Sequence, residues 1–289
     1  TTLNLLWPKE FPSKWSFGFR YCKPTRRPWG WEFKGATHLD ELHEKLKSLG
    51  MIRRLKTEVL KQLPDKTREI IPVKISKISK YNEANKDFLT WLYKISAEKA
   101  DKAKKAEALT KLGYLLRLSA KLKLKKVIEW VDNFLETNDE KIVLFCTHRK
   151  IIKKLHKKYK KISVVVDGSV SAKKKKLAVQ SFQTNKKIKI FIGNIRAAGV
   201  GIDLWAASTC AFVELDWVPG NHTQAEDRLH RIGQKNPVTI YYIIAKDTIE
   251  EDLCKLIQKK QNIINQTLDG GKTYNTFDIY DELIKKIRK

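Results

Sequence analysis

The sequence predicts an α/β chain: a parallel sheet covered by helices on both faces, preceded by a largely helical segment. Three observations point there. From about residue 122 onward, short apolar runs alternate with amphipathic stretches. The runs are nearly continuous in Val, Ile, Leu and Phe, as in strands buried on both sides, and lack the in–out alternation of a half-exposed sheet. Before them, residues 81–120 are charged, periodic and free of proline, which predicts helices.

The elements follow in order. Residues 1–35 are rich in aromatics and prolines (Trp7-Pro8, Phe11-Pro12, Trp15, Pro28-Trp29-Gly30-Trp31). They predict irregular chain packed through its rings, because proline breaks helices and restricts the residue before it. Leu39, Leu42, Leu46 and Leu49 recur at helical spacing and predict a helix over 38–50 that ends at Gly50. A strand is expected at 69–75. Leu124, Val127, Ile128, Val131, Phe134 and Leu135 form a helical stripe, followed by a strand at 141–146 and a helix marked by Ile151, Ile152, Leu155 and Tyr159. Strands are expected at 162–166, 188–192, 211–215 and 238–244. Ser171 is placed to cap a helix running to Phe182, and Thr248-Ile-Glu-Glu251 reads as a capping box opening a long last helix.

Composition narrows the partners. The net charge of +27 favours an anionic partner, nucleic acid first and an anionic membrane surface second. The four cysteines, Cys22, Cys146, Cys210 and Cys254, are far apart with no CxxC spacing, so neither a zinc cluster nor a dense disulfide framework is expected. No apolar run approaches the roughly 20 residues needed to span a bilayer, and no signal peptide is visible. The expectation is an intracellular protein, and the start at Thr1 without Met reads as a fragment or excised piece.

The stretch Gln224-Ala-Glu-Asp-Arg-Leu-His-Arg-Ile-Gly-Gln234 is the most informative. On a helix, Gln224, Arg228 and Arg231 at i, i+4 and i+7 share one face. Such a face suits a polyphosphate, since arginine donates in a planar fork and stays charged. Only 12 of the 59 basic residues are arginine, so this pair stands out. A solvated helix in which Glu226, Asp227, Arg228 and Arg231 pair with one another fits the spacing equally well. Asn194-Ile-Arg-Ala-Ala-Gly-Val-Gly-Ile-Asp203 directly follows a strand; Gly199 and Gly201 allow close approach to phosphate or ribose, and Asp203 could accept from a ribose hydroxyl, although a tight βα turn explains the glycines too. Asp167-Gly168-Ser169 offers amides and a hydroxyl to a nucleic-acid phosphate, or is an Asp-Gly turn with a helix cap. Trp217 could wedge against nucleic acid or pack in the core. Gly270-Gly-Lys-Thr273 is not a P-loop, since Gln266 stands where glycine is required. No strand-borne Asp-Glu pair suited to magnesium is visible either.

These residues resemble a family. Gln224–Gln234 is similar to motif VI of the Swi/Snf-type DNA-dependent ATPases of helicase superfamily 2. Ala197–Leu204 with Ala206-Ala207-Ser208 resembles their motif V, and Ile142–Phe145 with Asp167–Ser169 their motif IV region. Met51–Lys56 through Leu63–Arg68 looks like the segment joining two motor lobes. Phe11-Pro12, Arg20-Tyr21-Cys22 and Phe33-Lys-Gly-Ala36 resemble the fork-remodelling, annealing-helicase branch.

The resemblance implies a RecA-like lobe. Residues 1–121 would be the end of the first motor lobe plus a helical insertion, 122–270 the second lobe and 271–289 a tail. It implies Arg228 and Arg231 as arginine fingers, Gln224 as a supporting contact, and Gly199, Gly201 and Asp203 at the nucleotide. Trp217, Ser169 and Arg196 would lie near DNA. ATP with Mg²⁺ would be held mainly by a first lobe outside this sequence, and the partners would be that lobe and double-stranded or forked DNA, with no membrane. The setting would be the nucleus in a eukaryote and the cytoplasm otherwise. The alternative is a non-catalytic, DNA-binding remnant of a helicase gene. Two departures from the family pattern stand out: Trp205, where a small polar residue is usual, and Asp203, where Thr or Asn is common.

Overall fold

In the computed structural model, residues 2–86, 107–199 and 201–270 are described. The described residues divide into two compact units: those of 2–61 with 258–270, and those of 62–257.

The first unit begins with a short helix α1 (Thr2–Leu6) and a helix α2 (Lys14–Tyr21). A hairpin of β1 (Pro24–Arg27) and β2 (Gly30–Phe33) follows, then α3 (Leu39–Ser48) and α4 (Lys56–Val59). The expectation of irregular chain over 1–35 is therefore corrected. Pro12 ends the broken stretch, and Ser13 then accepts from the Ser16 amide while Ser16 accepts from the Ser13 amide, a reciprocal cap that starts α2. Phe11, Tyr21, Leu42 and Leu46 form the small core of this unit, so the leucine stripe of 38–50 does face inward.

The second unit is built on a six-stranded, wholly parallel sheet of β3 (Lys66–Val73), β4 (Ile142–Cys146), β5 (Ser163–Val166), β6 (Ile190–Asn194), β7 (Thr209–Phe212) and β8 (Val238–Ala245), in the order β3-β8-β7-β4-β6-β5. Its helices are α5 (Ile78–Lys86), α6 (Glu107–Thr137), α7 (Arg149–Lys158), α8 (Ala172–Thr184), α9 (Ile195–Ala198) and α10 (Pro219–Glu226). A last helix, α11 (Ile249–Asp269), begins in this unit. Alternate residues of each strand feed different cores. Val143 and Phe145 join Phe191, Phe212 and Tyr242 with Phe182 and Leu229 on one face. Ile142, Leu144 and Cys146 join Ile190, Ile192 and Ala211 with Val127, Val131 and Leu155 on the other. Both faces are buried, which is why the strands read as continuous apolar runs.

Several boundaries differ from the sequence reading: the strand expected at 69–75 runs from Lys66 to Val73, and the one expected at 188–192 from Ile190 to Asn194. The strand expected at 211–215 runs from Thr209 to Phe212; beyond it Val213 donates once more, to Phe145 O at 2.9 Å, and the chain turns away. The helices expected over 81–120 are seen at 78–86 and from 107 onward, while 87–106 lie outside the described residues. Ser171 caps α8 as expected. At the start of α11, Thr248 Oγ1 accepts from the Glu250 amide and Glu251 accepts from the Asp247 amide, so both residues cap the helix but the reciprocal Thr248–Glu251 box does not form: the Glu251 amide donates to the Thr248 carbonyl.

Candidate functional site

The arginine-bearing segment is not one helix. Helix α10 ends at Glu226 and Asp227 caps it, so the helical face assigned to Gln224, Arg228 and Arg231 does not exist. Tight turns follow, with Arg228 N donating to Ala225 O and Leu229 N to Glu226 O. Two long-range anchors stop the helix. The Glu226 carboxylate is fully buried and receives Arg68 Nε at 2.8 Å, Lys66 Nζ at 3.1 Å and Tyr242 Oη at 2.7 Å. Burial pushes its carboxyl up, but the charges of Arg68 and Lys66 and the hydrogen bonds outweigh burial and hold it well below the usual carboxylate range. Two residues on, the Arg228 carbonyl accepts from Leu204 N at 2.9 Å and so leaves the helical ladder. Glu226 thus pairs with β3 and β8; the mutual pairing of Glu226 with Arg228 and Arg231 is not what the acid does.

The two arginines nonetheless meet the glycine loop. Arg228 Nε donates to Gly199 O at 2.9 Å, and Arg231 pairs with Asp203. Asn194 starts this loop by capping α9, accepting from Arg196 N and Ala197 N. The glycines have backbone reasons: a Cβ at Gly199 would lie 2.4 Å from Ile195 O, and Gly201 takes φ +66°. Gln224 is exposed on the last turn of α10. The Arg231–Asp203 pair is exposed on both sides, the side chains retaining 38% and 51% of their accessibility.

A second group lies beyond the carboxyl ends of the strands, where parallel sheets bind ligands. Arg196 Nε donates to Asp216 Oδ2 at 2.8 Å; the guanidinium is exposed and the carboxylate is buried. Asp216 also receives Val218 N and Asn221 Nδ2. Burial pushes Asp216 up, but Arg196 and these amides bring its net shift downward. Trp217 is half-buried against the main core. Ser169 is exposed, but its amide and hydroxyl both donate to Asp167 Oδ1, at 2.8 and 2.6 Å, the geometry of an Asp-Gly turn. The structure therefore brings together Gly199, Asp203, Arg228 and Arg231 in one place. Arg196 and Trp217 follow β6 and β7, and Ser169 follows β5.

Sequence reasoning missed three working groups. Arg68 and Lys66 lie in the segment that resembles a lobe connection, but the sequence assigns no role to either, and only contact with Glu226 reveals one. Buried His222 accepts from Asp216 N at Nε2, 3.1 Å away; burial, outweighing the nearby acids, lowers its pKa to about 4 and keeps the ring neutral. Lys123, fully buried, donates to Ile243 O and Glu250, both at 2.6 Å, and ties α6 to β8 and the start of α11.

Comparison with known proteins agrees with this architecture. Residues 123–233 match the helicase conserved C-terminal domain. The chain is 34% identical over 271 residues to the SWI/SNF-related matrix-associated actin-dependent regulator of chromatin subfamily A-like protein 1 of Xenopus tropicalis, covering 92% of this chain and 28% of that protein. It is 34% identical over 281 residues to the human DNA annealing helicase and endonuclease ZRANB3, covering 93% of this chain and 25% of that one. The chain thus spans about a quarter of the length of these relatives. Among solved structures, the C-terminal part of the Fun30 ATPase domain superposes with a TM-score of 0.55 at 19% identity, covering 78% of this chain and 98% of that one, which shows the RecA-like fold.

Proposed function

We propose, for a chain that carries the helicase conserved C-terminal domain and has Swi/Snf-related relatives along most of its length, that it is the C-terminal half of an ATP-dependent double-stranded DNA translocase of the annealing-helicase type. The observation that carries this reading is the placement of Arg228 and Arg231 on the Gly199–Asp203 loop through one hydrogen bond and one exposed ion pair. An exposed pair is worth little in water, so Arg231 can exchange Asp203 for a phosphoryl oxygen at small cost. Both guanidiniums then stabilise charge developing on the transferring group, as arginine fingers do.

The residues fit a polyphosphate: two forked cations stand beside a loop kept free of side chains at Gly199 and Gly201. Bound ATP supplies the phosphoanhydride that is hydrolysed. The carboxylate beside the arginines, Asp203, is engaged with Arg231, so we assign Mg²⁺ and most of the nucleotide grip to a first RecA-like lobe. In this scheme Gln224 supports the fingers; the expected division at residue 121 is moved back, because β3 pairs with β8 in the second lobe's own sheet, and the chain before β3 ends the first lobe. Arg196 and Trp217 face the DNA path together with Ser169, whose hydroxyl must first leave Asp167. The protein acts on DNA, in the nucleus if the source is a eukaryote and otherwise in the cytoplasm; among the described residues no helix is long and apolar enough to cross a membrane.

The test is ATP hydrolysis by this chain with and without duplex DNA, before and after its first lobe is supplied. The expected result is turnover, stimulated by DNA, only with both lobes. Duplex-DNA-stimulated turnover by the chain alone would overturn the division of labour, and none with both lobes would overturn the motor assignment.

A further inference from the structure

One residue of the glycine loop has a setting that the proposed motor does not use. From Asp203 to Ala207 every residue is tied down by hydrogen bonds. Gln183 clasps the chain from one side, its Nε2 donating to Asp203 O at 2.8 Å and its Oε1 accepting from Ala206 N at 2.9 Å. Gln234 clasps it from the other, its Nε2 donating to Trp205 O at 3.2 Å and to Ala207 O at 2.9 Å. Leu204 donates to Arg228 O. Leu204 and Ala207 are buried, while Trp205 keeps 46% of its accessibility. Two buried or half-buried glutamines thus fix the backbone under a large ring that the fold leaves in water.

The ring borders a cavity of roughly 770 Å³ whose lining includes Lys175, Lys176, Gln180, Gly201 and Asp203. That volume lies in the range of small-molecule sites, and its mixture of an aromatic wall, amides and lysines suits a planar base joined to an anion. The same short segment holds the Arg231–Asp203 pair and the Leu204–Arg228 bond, so cations and indole hang on one rigid support. With the backbone already fixed, only the two side-chain torsions of Trp205 remain to be ordered on binding, which keeps the cost of stacking small.

We propose that Trp205 is a stacking shelf for a nucleobase, the adenine of the nucleotide whose phosphates meet Arg228 and Arg231. The proposal rests on the nucleotide reading of that loop and adds a base-recognition residue to it. The indole supplies the stacking surface, and Gln180 borders the same cavity with a side-chain amide able to meet the polar edge of the base, while the Gln183 amide stays with the loop it clamps.

The experiment is calorimetric titration of this chain, with its first lobe supplied, with ADP and, separately, with inorganic tripolyphosphate, which has charge but no base. Four forms of the chain are compared in that motor: the unaltered chain, Trp205→Ala, Trp205→Phe and Arg231→Ala. Trp205 makes its anchoring bonds through its carbonyl, so both replacements keep them. Trp205→Ala is expected to weaken ADP about tenfold and to leave tripolyphosphate unchanged. Trp205→Phe retains most of the ADP affinity, and Arg231→Ala weakens both ligands. The proposal is overturned if Trp205→Ala binds ADP like the unaltered chain, if it loses both ligands equally, or if the unaltered chain binds ADP no better than tripolyphosphate. Selective loss of ADP in Trp205→Ala together with no effect of Arg231→Ala would keep the shelf and reject the fingers.

Discussion

Two ion pairs flank the same turn and behave as opposites. At the root of the turn, Glu226 is fully buried between Arg68, Lys66 and Tyr242. At its tip, Arg231 and Asp203 meet in solvent. The difference is one of release. A buried carboxylate deprived of its cation is left as an uncompensated charge, so Arg68 is fixed in a structural task. An exposed pair gives up little when it opens, so Arg231 is free to take another anion. Of the two arginines that the sequence marks out as chemical, the fold leaves Arg231 exchangeable and ties Arg228 to the Gly199 carbonyl, and the cations it hides serve the scaffold.

Breaking the root should have the largest effect on stability. Arg68→Ala is expected to cost about 3 kcal/mol, reported by denaturant unfolding of the chain, because Glu226 keeps only Lys66 and Tyr242. A loss below about 1 kcal/mol would mean that the root is no tighter than the tip. Acid probes the same neighbourhood. His222 is held neutral with a pKa near 4, below its ordinary value of 6.5. A depressed pKa gives stability that is complete above pH 6.5 and declines as pH falls toward 4, since the unfolded chain takes up a proton that the fold refuses. The expected loss from this residue is up to about 3 kcal/mol across that window, and His222→Gln should flatten the pH profile there. At the tip, Asp203→Asn should change stability by less than about 1 kcal/mol in the same unfolding assay. A cost comparable to that of Arg68→Ala would show that the tip is structural after all.

The legibility of the chain follows the same division. The sheet could be read because strands buried on both faces leave no polar alternation, and local signals such as Ser171 mark helix starts. The glycine loop and the two arginines could be read because each lies within one short stretch of sequence. The route by which they meet could not. Helical spacing continues past Glu226, and nothing within the segment reveals that Leu204 captures the Arg228 carbonyl or that Arg68, far back in the chain, captures Glu226. At the amino end, the aromatic and proline texture hid the Ser13–Ser16 cap and the helix it begins. Trp205 was visible as a departure from the family pattern; that two distant glutamines hold it in place was visible only in three dimensions.

In the proposed motor, exposed and exchangeable Arg231 and half-buried Arg228 beside it act on ATP, while buried Arg68 does not. The most direct measurement is DNA-stimulated ATP turnover of the complete two-lobe motor carrying Arg228→Ala or Arg231→Ala, compared with the unaltered motor after each is shown to be folded. The account predicts a fall of about a thousandfold for either change with the fold intact. Near-normal turnover in both would contradict it.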